Sequence, residues 1–108
     1  MPYVIDYNRK VESSRYADIT RILGLTGNTD DELIDSLTDL IRRSNKSLNL
    51  PLTLKEFGVR EAEFEKHLNQ MAAGAVEDPC TPSNPREVPV EDMKKIYIAA
   101  YNGDKINF

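Results

Sequence analysis

With 108 residues, 40% of them apolar and 30% charged, the chain holds one domain's worth of residues, or part of a larger domain, and falls in the ordinary globular class. Its formal charge of −4, with fourteen Lys and Arg spread among eighteen Asp and Glu, argues against a nucleic-acid partner, which needs a concentrated basic face. One Cys and one His exclude an intrachain disulfide and a typical four-ligand structural metal site, and they fit a reducing compartment.

No apolar run approaches the ~18 residues of a membrane span, and the start lacks a basic-then-apolar signal pattern. The expected location is therefore cytoplasmic, with no membrane partner.

The opening MPYVIDYN is apolar at positions 3, 4, 5 and 7. A helix would spread those residues over much of its circumference, as buried helices do. The stretch reads as the end of a buried helix whose beginning is missing, or as a short arm folded onto the core. VESSRYADITRILG follows, with Ser13 or Ser14 as a cap, Tyr16, Ile19 and Leu23 on one face, and Gly24 as the left-handed stop. In TDDELIDSLTDLIRRSNKSLNL, Thr29 and Glu32 form a capping box. Leu33, Leu37, Leu40, Ile41 and Leu48 make the apolar stripe. Acids crowd the first turns of this helix, and Arg42, Arg43 and Lys46 the last. That polarity complements the helix dipole and predicts a solvated basic end.

Thr53 and Glu56 make a second box, closed after one short helical turn by Gly58. REAEFEKHLNQMAAGAVED predicts a long helix with Phe64, Leu68, Met71, Ala72, Ala75 and Val76 inward and His67 at its boundary. The small residues Ala72 to Ala75 permit close approach of a backbone, for packing or for a second domain. VEDMKKIYIAAYNG is the last helix, with Met93, Ile96, Tyr97 and Tyr101 inward and Gly103 as its stop. The tail DKINF reads as loosely held. With no alternating strand pattern, the fold class is all-α with five to six helices, in a single helical domain or subdomain over residues 1–108.

Catalytic parts are missing. The single His lies mid-helix, far from any nucleophile; the glycines end helices instead of opening phosphate loops; and GNTDDELID lacks the order of a calcium loop. No residue is assigned a catalytic, cofactor-binding or metal-binding role.

Between the last two helices lies EDPCTPSNPREVP, with Pro79, Pro82, Pro85 and Pro89 and the single Cys80. Each proline fixes φ near −65° and drives its predecessor toward extended geometry, so this strap orders at little entropic cost. Pro79 makes continuation of the preceding helix unfavourable. Asn84, extended before Pro85, can tie down neighbouring backbone. Acids Glu77 and Asp78 at a helix C-terminus face the negative end of the dipole. An Arg86–Asp78 contact closing the strap is the expected compensation; a merely stiff connector is the plainer alternative.

DPCTPSNPR resembles the Asp-x-Cys-Thr-x-x-Asn-Pro-Arg signature near the C-terminus of iron-dependent alcohol dehydrogenases, in the dehydroquinate synthase-like superfamily. MPYVIDYN resembles that family's Leu-Pro-x-Val-x-x-x-Asn stretch, and RYADITRILGL its Lys/Arg-Tyr-Ala-x-Ile-x-x-x-Leu-Gly segment. LNLPLTLKEFGVREAEFEKHLNQMAAGAVED resembles its segment of the form Ile-Pro-x-x-Leu-x-Glu-x-Gly-Val. The four fall in family order and cover nearly the whole chain.

The resemblance implies the latter part of the helical C-terminal domain of a two-domain enzyme. An N-terminal domain would bind NAD(P), and one Asp and three His would hold iron or zinc. All of these lie before the region of resemblance. The implied partners are the missing N-terminal part and a small alcohol or aldehyde. The implied chemistry is reversible hydride transfer, with a short ω-hydroxy acid such as 4-hydroxybutyrate among the substrates.

By the same resemblance Cys80 lines the substrate pocket, or else packs the loop as a small buried side chain, while Asp78, Asn84 and Arg86 shape the loop. Pro82 stands where the family often has glycine, which alters the pocket's detail. The fragment itself is expected to be inactive, to bind no cofactor, and to self-associate through faces built for missing helices. The competing hypothesis is a free-standing helical interaction module.

Overall fold

The computed structural model describes all 108 residues. It contains α1 (Pro2–Ile22), α2 (Asp30–Ser47), α3 (Glu61–Glu77), a 3-10 turn over Thr81–Ser83, and α4 (Val90–Asn102), with no strand. The all-α class agrees with the sequence; the helix count is lower than expected, for two local reasons. The first two predicted helices are one helix, kinked at Glu12, where φ −128° and ψ 30° leave the helical region. Ser13 and Ser14 therefore lie inside α1, and the opening residues form a helix, not an arm. Near Leu54, Thr53 Oγ1 accepts from the Glu56 amide at 2.9 Å and Glu56 Oε2 from the Leu52 amide at 2.7 Å. The cap forms, with Glu56 reaching one residue past Thr53, but Gly58 at φ 98° ends the turn before an α-helix develops.

At α2, Thr29 Oγ1 accepts from the Glu32 amide at 3.2 Å, while Glu32 Oε2 reaches past the cap to the Asn28 amide at 2.7 Å. Gly24, at φ 73°, ends α1 by letting the Leu25 amide turn back to the Thr20 carbonyl at 3.1 Å.

Helix α1 packs chiefly on α2 and α3 on α4, and the two pairs meet where α1 lies against α4. Ile5, Ile34 and Leu37 form one core cluster, flanked by Tyr16 and Ile41. Tyr7, Val88, Ala99 and Ile106 form the other, flanked by Tyr3, Met93, Ile96 and Phe108. Phe64 and Tyr101 stack with centroids 4.4 Å apart.

Several expected faces are corrected. In α1, Ala17 and Thr20 are buried, whereas Ile19 and Leu23 are exposed; Thr20 hides its polarity by donating to the Tyr16 carbonyl at 2.8 Å. Leu48 lies beyond the end of α2 and is exposed. The basic end of α2 is only partly solvated. Arg42 turns inward to Asp6, whose side chain is 0% exposed, at 3.3 Å.

The tail is also held. Ile106 is buried, Phe108 meets Tyr7 edge-on at 6.0 Å, and Lys105 pairs with Asp35 at 2.6 Å.

Only 17 of the 108 residues are buried. The radius of gyration is 14.7 Å, against about 13 Å for a compact 100-residue domain. Apolar side chains that a closed domain would cover stay in water, among them Ile22, Leu50, Val4 at 47% and Phe57 at 72% exposure. No helix is long and apolar enough to cross a membrane.

Candidate functional site: a cleft between the strap and the first helix

The strap begins as its prolines dictate. Helix α3 stops at Glu77, and Asp78, ahead of Pro79, is extended at φ −60° and ψ 131°. Asn84, ahead of Pro85, is likewise extended at φ −66° and ψ 135°. Between them the chain makes a 3-10 turn, held by Ser83 N–H to the Cys80 carbonyl and Asn84 N–H to the Thr81 carbonyl, each at 3.0 Å. Thr81 Oγ1 donates back to the Ala75 carbonyl at 2.5 Å, tying the strap to the last turns of α3.

The expected Arg86–Asp78 lock is not what closes the strap. Asp78 Oδ1 instead accepts from the Cys80 amide at 2.8 Å, a local Asx turn that uses the carboxylate without a cation. Arg86 points the other way. Its guanidinium lies 3.8 Å from the Tyr7 ring centroid. Its Nη1 donates to the Tyr7 and Phe108 carbonyls at 2.8 Å each. The planar guanidinium has donors enough for both carbonyls while its face stacks on the ring.

Asn84 makes the second tie. Its Nδ2 donates to Asn8 Oδ1 at 2.9 Å and Asn8 Nδ2 donates to Asn84 Oδ1 at 2.8 Å, while Asn84 Nδ2 also serves the Arg86 carbonyl at 2.5 Å. Beneath them Tyr7 is 1% exposed. Its phenol shares one proton between the Glu87 carbonyl at 2.7 Å and Asp92 Oδ2 at 2.9 Å. Burial, then the hydrogen bond to Asp92, push the Tyr7 phenol up to about 12, so it stays a donor at neutral pH. Burial raises the Asp92 carboxyl, but the hydrogen bonds from Tyr7 and Lys95 and the charges of Lys95 and Arg86 outweigh it and hold it below the usual range.

These ties leave a cleft of about 260 Å³ between α1, the strap and the start of α4. It is lined by Val4, Tyr7, Cys80, Thr81, Asn84, Val88, Met93 and Ile96. Six of the eight are hydrophobic and none is charged. Cys80 stands at this cleft as a free thiol, exposed in this chain. The strap thus brings Cys80 and Asn84 to the cleft and sends Arg86 behind it, with Asp78 exposed at its start. Tyr7, Asn8 and Val88 were missed by sequence reasoning. The available signal was the asparagine that closes MPYVIDYN, but nothing in its spacing names a partner 76 positions away.

The model of the Fe-containing alcohol dehydrogenase family, C-terminal, matches residues 1–101. The chain belongs to this family.

Among similar proteins, an NADPH-dependent butanol dehydrogenase of Clostridium saccharobutylicum is 43% identical over 108 residues, covering 100% of this chain and 28% of that protein. An aldehyde-alcohol dehydrogenase of Clostridium acetobutylicum is 38% identical over 87 residues, 81% of this chain and 10% of that protein. A lactaldehyde reductase of Escherichia coli is 29% identical over 103 residues, 94% of this chain and 26% of that protein. The chain therefore spans only about a quarter or less of the relatives it matches.

The iron in the family's description finds no fitting donor set here. No three His, Cys, Asp or Glu side chains converge. His67 stands half-exposed on α3, 3.7 Å from Glu63 of the same helix.

Proposed function

We propose that this chain is the C-terminal helical unit of an NAD(P)-dependent, metal-dependent alcohol dehydrogenase that interconverts short primary alcohols and aldehydes. The observation that carries the reading is the match of the family's C-terminal model along nearly the whole chain, residues 1–101. In this reading the nucleotide-binding domain and the ligands to iron or zinc lie outside the 108 residues, which contribute wall and not catalyst. The bare apolar side chains Val4, Leu50 and Phe57 suit contact with the rest of such an enzyme.

The cleft beside Cys80 is read as part of the substrate's enclosure. Its uncharged, mostly apolar lining favours a short alkyl chain and offers no cation to the carboxylate of an ω-hydroxy acid such as 4-hydroxybutyrate. The relatives, a butanol dehydrogenase and a lactaldehyde reductase, point the same way, and the first of them favours NADPH.

A chimaera tests the proposal. Residues 1–108 replace the matched 28% of the Clostridium saccharobutylicum butanol dehydrogenase, and NADPH-dependent reduction of butanal is measured. Turnover is expected from the chimaera. None is expected from the 108 residues alone with NADH or NADPH and iron or zinc. A folded but inert chimaera, or turnover by the 108 residues alone, overturns the reading.

A further inference from the structure

We infer that Asn8 is a positioning residue whose amide pair with Asn84 sets the separation between α1 and the strap, and with it the width of the cleft. This rests on the proposed reading of that cleft as a substrate wall. One wall, Val4 and Tyr7, belongs to α1; the facing wall, Cys80, Thr81 and Asn84, belongs to the strap. Asn8 lies one helical turn beyond Val4 on the same face of α1.

Two antiparallel N–H···O bonds, 2.8 and 2.9 Å, join it to Asn84. Sliding or widening the gap breaks both together, because a reciprocal amide pair has one separation that satisfies both members. Asn8 is 2% exposed, so water cannot readily replace the lost partner.

Asn84 carries the constraint onward. Its N–H holds the Thr81 carbonyl at 3.0 Å. Next door, the Ser83 amide and hydroxyl both hold the Cys80 carbonyl, at 3.0 and 2.6 Å. Pro82 and Pro85 remove the backbone freedom that would absorb a shift. Moving Asn84 therefore moves Cys80 and Thr81. No residue of this chain but Asn8 makes a side-chain to side-chain hydrogen bond with Asn84. A hydrophobic slot sorts substrates by girth, with discrimination of roughly tenfold to a few hundredfold per misfitted methylene.

The test uses the full-length enzyme of which this chain is proposed to be the C-terminal unit, with kcat and KM measured for linear butanal and branched 2-methylpropanal. Asn8→Ala is expected to change the ratio of the two kcat/KM values at least fivefold, mainly through KM. Amide-exchange protection at Ser83 and Asn84 should fall at least tenfold, while Ile34 and Leu37 keep theirs. Asn8→Asp, which keeps the volume and one acceptor but cannot donate to Asn84, should shift both readouts in the same direction and serves if the alanine variant does not fold.

A purely structural role lowers the active fraction and scales both aldehydes alike, so an unchanged ratio in a folded variant overturns the inference. Intact protection at Ser83 and Asn84 does so as well. Failure of the unsubstituted full-length enzyme to reduce either aldehyde with NADH or NADPH overturns the dehydrogenase reading itself, before any variant is made.

Discussion

Replacing Arg86 by Ala is the sharpest perturbation of the strap. The change removes two charge-assisted hydrogen bonds of 2.8 Å, to the Tyr7 and Phe108 carbonyls, and a cation stacked 3.8 Å over the Tyr7 ring. Hydrogen bonds to charged groups contribute about 1.5–3 kcal/mol each, and a partly desolvated cation–π contact about 1 kcal/mol. Phe108 is only partly buried, so hydration recovers part of its carbonyl's loss, and the Arg86–Asp92 contact, at 3.9 Å, adds little. The expected cost is about 3 kcal/mol. With a urea m-value of about 2 kcal/mol/M, that lowers the unfolding midpoint by roughly 1.5 M, read by helical circular dichroism.

Asp78→Ala removes only an exposed turn bond to the Cys80 amide and should cost about 1 kcal/mol or less. Because Arg86 and Asp78 share no partner, the double variant should be additive within about 0.5 kcal/mol. A coupling above about 1 kcal/mol, or an Arg86→Ala midpoint indistinguishable from wild type, would refute this account of the strap.

Three further outcomes concern single carboxylates. Asp6, sealed from solvent between Arg9 and Arg42, should be costly to remove. Asp6→Ala leaves two guanidinium groups without their shared carboxylate and is expected to cost about 3–5 kcal/mol, read as a fall in Tm. Asp39→Ala, which takes an exposed partner from the same Arg42 at 3.6 Å, should change stability by about 0.5 kcal/mol or less. Asp92 and Asp35 both titrate below the usual range when folded. At Asp35 burial raises the carboxyl, but hydrogen bonds from Lys105 and Arg9 and their charges prevail. Their stabilisation is present above the unfolded carboxyl value, about 4, and is lost as pH falls through the lower folded values. Asp92→Asn should therefore flatten the loss of urea resistance as pH falls below the unfolded carboxyl value, about 4; an acid limb as steep as wild type would count against the Tyr7–Asp92–Lys95 arrangement.

Local rules made the elements legible. The Thr29–Glu32 box, the glycine stops at Gly24 and Gly103 and the extended residues before Pro79 and Pro85 each depend on atoms a few residues apart. A single-residue kink at Glu12 is subtler, because Ser-Ser after a short apolar stretch looks the same whether the helix restarts or merely bends. The inward face of α1 departs from the periodic pattern for a physical reason. Thr20 satisfies its hydroxyl within its own helix and so behaves as an apolar residue of the core, while Ile19 and Leu23 are left outside. The partners of Arg86 lie 79 and 22 positions away in the chain. Periodicity does not encode such distances; the nearest acid was the only candidate visible, and that acid had a cheaper local use.

The four prolines gain their meaning from where the strap's bonds go. A stiff connector that only spanned two helices would direct its polar groups to solvent or to itself. Here Asn84 and Arg86 both reach α1, and Arg86 adds the tail, so the rigid segment is fastened against a helix far from it in sequence. Rigidity without these ties would fix the strap's shape but not its place, and the ties without proline would let Cys80 swing while Asn84 stayed put. Together they hold an uncharged wall at a set distance from Val4 and Tyr7, as the proposed substrate enclosure needs and a spacer does not.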